Sequence, residues 1–310
     1  MARASVWVVL LALGVGTALP PRMAAQVGGA SSGATVQSAA PTAVSQLGRA
    51  PTESDIYCAG FFTHRAPDAG MSVLGSEDGG FKNEFGDRDF VYVSKGPGAS
   101  PGAQYMLVRP VKDPNLRESF PGQQKMAAQL GTLFAEIARI QVRVVHEGSL
   151  TVEIMHACEP ALAGDIAIPL ATRSAPAFHT PKVVDRFAPS SGKATAVVVL
   201  GKEFRQNLGE DHVVYLNIGR SQGAQVGSYL RVFRTALSRD QDPFEQATRN
   251  YATDVTGQRT MRRQTRAERA ALPRAVLGEI LLLSVEDDSS AGIVTFSREE
   301  IYPGDGVELE

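Results

Sequence analysis

Tryptophan occurs once in this sequence of 310 residues, at Trp7, and cysteine only twice, at Cys58 and Cys158. Neither sign of charge dominates: 31 Lys and Arg against 33 Asp and Glu leave a formal net charge of -2. A chain without a basic field carries no global signature of nucleic-acid binding. No interleaved aromatic run offers a base-stacking surface. The patterns that carry chemistry are also missing. His64, His146, His156, His179 and His212 form neither H-x-H nor H-E-x-x-H, so zinc has no local support. His156 and Cys158 stand two apart on a strand, which leaves a metal pair open beside the plainer reading of half-buried strand residues. The stretch Ser190-Ser191-Gly192-Lys193-Ala194-Thr195 lacks both the first glycine and the hydroxyl after lysine that a phosphate-cradling loop needs. Gly70-Met71-Ser72-Val73-Leu74 misses the nucleophile elbow by its last residue. The pairs Asp87/Asp89 and Asp240/Asp242 are too few oxygens for calcium and read as solvated turn carboxylates. No catalytic, cofactor-binding or metal-binding residue is therefore assigned, and the expectation is a non-enzyme.

The N-terminus is informative. Arg3 is the only charge in residues 1–16, an apolar run follows from Val6 to Val15, and Gly16 and Ala18 supply small residues for cleavage. That is the layout of a secretory signal peptide, 1–25, cut after Ala18 or after Ala25. Its apolar run is about half of the ~20 residues a spanning helix requires, so no transmembrane helix is expected in the mature chain. Export to the periplasm or the outer membrane places Cys58 and Cys158 in an oxidising compartment, where an even count suggests a disulfide. Closing a loop of about 100 residues stabilises by about 4–5 kcal/mol in the chain-entropy treatment. Two buried free thiols are the alternative.

Residues 26–52 are rich in Ala, Ser, Gly, Thr and Gln, with Arg49 as the one charge and no aromatic residue. Such a segment buries too little apolar surface to offset its ordering entropy and reads as a disordered tether. Residues 171–192 hold Pro176, Pro181 and Pro189 and end in Ser-Ser-Gly, a linker composition. They separate two stretches of equal length, 53–170 and 193–310, which align as an internal repeat. Gly86–Val93 lies over Gly209–Leu216, and Gly102–Arg109 over Gly227–Arg234. Leu130-Gly131 is placed over Leu277-Gly278, and both copies close on Gly-Asp, at 164–165 and 304–305. The matched blocks are β-branched and aromatic runs around Gly-rich turns, hence hairpins. Ile56–Phe62 and Ala194–Leu200 are expected to open the two copies. Residues 133–145 are expected to be mostly strand after a helical turn at 122–129. The fold class is all-β: two tandem barrel-like or sandwich-like domains of about five to six strands each, with little helix.

The run Val-Tyr-Leu-Asn-Ile-Gly-(x)3-Gly-Ala-Gln-Val-Gly-Ser-Tyr-Leu-Arg-Val-Phe-Arg at 214–234 carries a resemblance. With Leu277-Gly278-Glu279 and Glu300-Ile301-Tyr302-Pro303-Gly304-Asp305 it is similar to a β-rich module of Gram-negative envelope proteins. That module is found beside LysM domains and resembles the C-terminal domain of the flagellar assembly protein T. The resemblance implies a non-enzymatic role in envelope assembly or scaffolding and supplies no catalytic residue. No LysM domain is visible, so peptidoglycan binding is not implied.

Arg109 and Arg234 recur at strand ends, as exposed charges or as a shared buried ion pair. Residues 244–274 carry seven arginines against three acidic residues. Within them Arg259, Arg262, Arg263, Arg266 and Arg269 are candidate contacts for an anionic partner, against the plainer reading of a soluble loop. Gln258–Ala271 has the makings of a short exposed helix. The function expected is an exported scaffold or interaction protein whose partner is an envelope protein or an anionic cell-wall polymer. A glycan-binding module, with Tyr92, Tyr105, Tyr215 and Tyr229 replacing tryptophan, is the second reading. A hydrolase assembled across the domain interface is the third. The asymmetry between the copies is where specific recognition is expected.

Overall fold

The computed structural model describes residues 48–68, 70–115, 117–181, 185–238 and 264–310. The expected signal peptide, the expected tether up to residue 47, and the candidate contacts Arg259, Arg262 and Arg263 lie outside the described residues. Among the described residues no helix is long and apolar enough to cross a membrane.

The chain is mainly β, in two antiparallel sheets. Helix α1 (Glu53–Tyr57) and strand β1 (Phe61–Thr63) precede β2 (Val73–Ser76), β3 (Phe90–Ser94), β4 (Gln104–Pro110), helix α2 (Gln123–Gln129), β5 (Thr132–Val145), β6 (Ser149–Ala157) and β7 (Ile166–Pro169). The second copy runs β8 (Thr195–Gly201), β9 (Val213–Leu216), β10 (Tyr229–Arg234), helix α3 (Arg266–Ala270), β11 (Ala275–Val285), β12 (Ser290–Ser297) and β13 (Gly306–Leu309). The second sheet is a closed barrel in the order β8-β9-β12-β11-β10-β13, with β13 returning to β8. The first follows the same order, β2-β3-β6-β5-β4-β7, with β1 added against β5. Its end strands are joined by backbone bonds from Val73 N to Asp165 O (2.9 Å) and from Gly164 N to Val73 O (2.8 Å). Val198, Asp305 and Gly304 make the same two bonds in the barrel. Joining the ends removes the exposed edges on which β-proteins aggregate.

Strand pairing fixes the repeat register. Arg109 lies opposite Ala135 and Arg234 opposite Ala275; both ladders then shift at a bulge one residue before the arginine's neighbour, between Leu107 and Val108 and between Val232 and Phe233. From Ala135 onward the copies superimpose at a constant offset: Ile154 bonds Asp89 as Val294 bonds His212, and His146 N bonds Ser149 O as Glu286 N bonds Ser289 O. Two expectations change. Leu277-Gly278 corresponds to Ile137-Ala138, not to Leu130-Gly131. Gly131 marks a different constraint: it has φ +97°, and a Cβ there would stand 2.4 Å from the Thr63 carbonyl oxygen, where β1 crosses. Likewise Ile56–Phe62 does not open the first barrel. Thr52 caps α1 in a reciprocal capping box with Asp55, so Glu53–Tyr57 is helical, and β1 pairs with Thr132–Phe134. The strand equivalent to β8 is β2.

Three apolar clusters hold the molecule. One fills the first barrel around Val91, Leu107, Ile140 and Ile154. A second fills the other barrel around Val214, Leu230, Ile280 and Val294. A third lies between them and joins Ile56, Tyr57, Phe62, Leu133 and Phe134 to Val199, Tyr215, Leu281, Leu283 and Ile293. This explains the Leu-rich run of β11. Ile280 and Leu282 point into the barrel while Leu281 and Leu283 point into the shared core, so the strand is buried on both faces. The segment at 171–181 is docked as well. Arg173 reaches the buried Glu136 carboxylate (2.5 Å and 3.1 Å) and the Ile56 carbonyl (2.8 Å), and the His179 ring stacks on Tyr229 at 3.8 Å.

Candidate interaction face

The recurrent polar residues resolve into structure. Arg109 Nε and Nη2 donate to the two oxygens of Asp165, each at 2.7 Å, and Nη2 also donates to the Pro160 carbonyl. Arg234 does the same with Asp305 (2.7 Å and 2.6 Å) and the Glu300 carbonyl. Of the two readings open for these arginines, the shared buried ion pair holds. Both aspartates are buried, and each also accepts a turn N–H, from Leu162 or from Tyr302. The carboxylate hydrogen bond raises the Arg109 guanidinium above its ordinary value. For Arg234 burial pulls the other way, and the bond to Asp305 prevails. The motif pins the strand that closes each sheet; it is not a ligand site.

Cys58 and Cys158 form the expected disulfide, with Cα atoms 5.5 Å apart. It ties the end of α1 to the residue following β6. His156 comes close enough that its ring and the two sulfurs lie within 4.8 Å of one another. Sulfurs bonded to each other are not thiolates, the form that ligates zinc. Asp89 accepts the Gly86 N–H (2.7 Å) and pairs with Lys82, so it serves its turn.

Two clefts flank the disulfide where the barrels meet. One, of about 190 Å³, is lined by Ser54, Asp55, Lys202, Glu203, Arg205 and His212. The other, of about 340 Å³, lies among Val111, Leu133, Glu159, Phe204 and Tyr215. A polar cleft between the domains is the condition the hydrolase reading requires, so its chemistry matters. Lys202 Nζ donates to the Cys58 carbonyl (2.7 Å), Arg205 forks onto Glu203 (2.8 Å and 3.2 Å), and His212 Nδ1 accepts from Gly209 N (3.0 Å). The Arg205 bond holds the Glu203 carboxyl below its usual range. Burial pushes Asp55 up, but bonds from Arg49 and Thr52 outweigh it and hold it low. Neither carboxyl is poised as a general acid near neutrality. Ser54 Oγ lies 3.4 Å from His156 Nε2, yet among the described residues no carboxylate bonds to that ring to orient it. Glu203 and Phe204 both have φ of 57°, an uncommon conformation for residues with a Cβ. It seats Phe204 against the shared core.

Of the arginine-rich segment, the described residues hold Arg266 and Arg269 on α3, a single turn capped by Thr265, and Arg274, which pairs with the buried Glu308. Of the four tyrosines considered for a sugar platform, Tyr105 and Tyr215 are buried and Tyr229 is stacked under His179; Tyr92 remains open to solvent.

Tyr92 leads to the feature sequence reading passed over. Tyr92 and Tyr215 are equivalent in the repeat, and both point outward from their barrels. Across the second barrel the outward side chains on β8, β9, β12 and β11 are Val199, Val213, Tyr215, Ile293, Leu281 and Leu283, and all are buried in the shared core. Tyr215 is 3 % exposed, and its hydroxyl donates to the Ala59 carbonyl at 2.8 Å. Burial pushes its phenol above the ordinary value, keeping the hydroxyl a donor. Gly60 makes room for this contact, since a Cβ there would stand 2.7 Å from the hydroxyl oxygen. In the first barrel the matching positions are Leu74, Phe90, Tyr92, Glu153, Gln141 and Arg143. Leu74 is 56 %, Phe90 46 % and Tyr92 36 % exposed, and Met155, on the same strand as Glu153, is 46 % exposed. Gly75, Tyr92, Thr151 and Val144 form one cross-strand row over this face. Arg143 crosses it, pairing with Glu153 at 2.6 Å and touching the Met155 sulfur. A face that the fold covers in one repeat is thus open in the other, with aromatic, Met and Arg side chains of the kind that enrich protein interfaces.

Compared with known proteins, the chain matches no family model and no curated protein.

Proposed function

We propose that this chain is an exported, non-catalytic interaction protein of the cell envelope, which holds a partner protein on the outer face of its first barrel. One observation carries the reading: the face buried around Tyr215 has an uncovered counterpart around Tyr92. Its mixed composition, Leu74, Phe90 and Tyr92 beside Gln141, Arg143 and Glu153, suits a partner that comes and goes, since non-obligate interfaces are about as polar as the rest of a surface. The signal-peptide layout and the disulfide support export, and the repeated six-strand order supports kinship with the envelope modules described above. The test compares wild-type protein with Tyr92→Glu in co-purification from envelope extract of cells making each. A defined partner retained by the first and lost by the second, at unchanged melting temperature, is the expected result. An identical partner set for both proteins overturns the docking role of this face.

Of the four tyrosines the glycan reading names, Tyr92 is the one open to solvent, Tyr105 and Tyr215 being buried and Tyr229 lying under His179. Sedimentation with purified cell-wall sacculi at low salt tests it, with co-pelleting required.

A further inference from the structure

We infer that the occupant of this face is a second copy of the same chain, joined head to tail. The inference rests on the reading of the Tyr92 face as a docking surface, and it names the partner.

The contact between the two barrels is not symmetric. The outer face of the second barrel meets a different surface of the first: α1, β1, α2 and the start of β5. Ile56, Tyr57, Phe62, Leu133 and Phe134 fill it, and Gln123 of α2 donates across to the Val199 carbonyl at 2.9 Å. Each barrel therefore presents an outer face at one side and a covering end at the other. Within one chain the covering end of the first barrel is used on the outer face of the second. Among the described residues, the outer face of the first barrel and the covering end of the second are left over.

The repeat shows what that second end consists of. Helix α3 stands in the sequence position of α2, just before the strand. Arg186 bonds the start of β11 through its carbonyl to Val276 N (2.7 Å), beside the strand that corresponds to the partner of β1. Here stand two further large apolar side chains open to solvent, Phe187 at 64 % and Leu272 at 43 %. Exposed apolar groups thus stand at both places where the internal contact has no continuation; Phe81 and Val226 are exposed as well.

Charge matches the same pairing. Around the Tyr92 face are Glu77 and Asp78 in the turn after β2, Glu147 at the hairpin tip and Glu153 on β6, set against Arg143 and against Lys95, whose Nζ donates to the His146 carbonyl at the same tip. The covering end carries Arg266 and Arg269 on α3, with Glu268 between them on the same turn, a net positive balance. Opposite signs favour face against end and disfavour face against face. A contact between two different surfaces does not close on itself and builds an open chain of copies.

The test is sedimentation velocity of the full chain, freed of its signal segment, over a range of concentrations. Wild-type protein is expected to show weight-average mass rising with concentration through dimer and beyond. Tyr92→Glu blocks the face and Phe187→Glu blocks the end; each alone is expected to lose every species above monomer, with melting temperature unchanged. Their equimolar mixture is expected to form a dimer that grows no further, because each variant supplies the surface the other lacks. A wild-type protein that stays monomeric overturns the inference, as does a Phe187→Glu variant that still dimerises, which would mean face-to-face pairing. If wild type is monomeric while Tyr92→Glu still loses an envelope partner, the docking face survives and only its occupant was misassigned. If neither association nor partner responds to Tyr92→Glu, both fall.

Discussion

Truncating Tyr215 to alanine should destabilise the protein far more than truncating Tyr92, although the repeat makes them the same residue. Tyr215 is 3 % exposed, packs edge-on against Phe62 at 5.7 Å between ring centres, and donates to the Ala59 carbonyl. Removing a buried aromatic side chain costs about 3–5 kcal/mol through lost transfer energy and the cavity left behind. In a unit of this size each kcal/mol lowers the midpoint by about 2–4 °C, so Tyr215→Ala should melt about 6–20 °C lower. Tyr215→Phe isolates the hydroxyl: it leaves the Ala59 carbonyl without its donor, at about 1–3 kcal/mol. Tyr92 is open to solvent, and Tyr92→Ala should stay within about 0.5 kcal/mol of wild type. Urea unfolding followed by tyrosine fluorescence or circular dichroism measures all three, with the slope checked for two-state behaviour. If Tyr215→Ala costs no more than Tyr92→Ala, the barrels do not share a core, and the contrast between covered and uncovered faces is void.

Arg234→Met should cost about 3–5 kcal/mol by leaving buried Asp305 without its cation. Arg109→Met should cost less, because the Arg109 side chain is 26 % exposed against 10 % for Arg234; equal costs in urea unfolding would contradict this ranking. Glu308 on β13 is fully buried, paired with Arg274 at 2.5 Å and bonded by Ser190 Oγ. Burial pushes its carboxyl up, but those bonds outweigh it and hold it below the usual carboxylate range. A depressed folded value stabilises fully above the ordinary glutamate pKa of about 4.3 and is lost as pH falls through the folded value. Melting temperature should therefore fall less steeply with acid in Glu308→Gln than in wild type; parallel profiles would remove Glu308 from the acid response.

Much of the fold was legible because it is local. Val213–Leu216 and Tyr229–Arg234 emerge as strands from β-branched and aromatic runs bounded by glycine. The recurrence of Arg109 with Gly164-Asp165, and of Arg234 with Gly304-Asp305, marked the repeat before its geometry was known. The Leu130-Gly131 match misled because a dipeptide carries no register; bulges and ladder bonds set it, and these depend on two strands at once. Ile56–Phe62 has the apolar content of a strand, but the capping box at Thr52 turns its first half into helix.

The uncovered face was half legible. Val199, Val213, Leu281, Leu283 and Ile293 alternate with equally apolar inward residues, whereas Gln141, Arg143 and Glu153 place polar groups outward beside the buried Ile140, Val142 and Val152. A strand apolar on both sides must be covered on both, and that signal stood in the second copy alone. By itself the pair of cysteines, with the export expected from the N-terminus, determined one expected cross-link, and the repeat determined two similar β-domains. Only the tertiary structure decided that Tyr215 is buried and Tyr92 is not. Alternation along a strand says which side chains point outward, while what lies over them depends on residues more than 100 positions away.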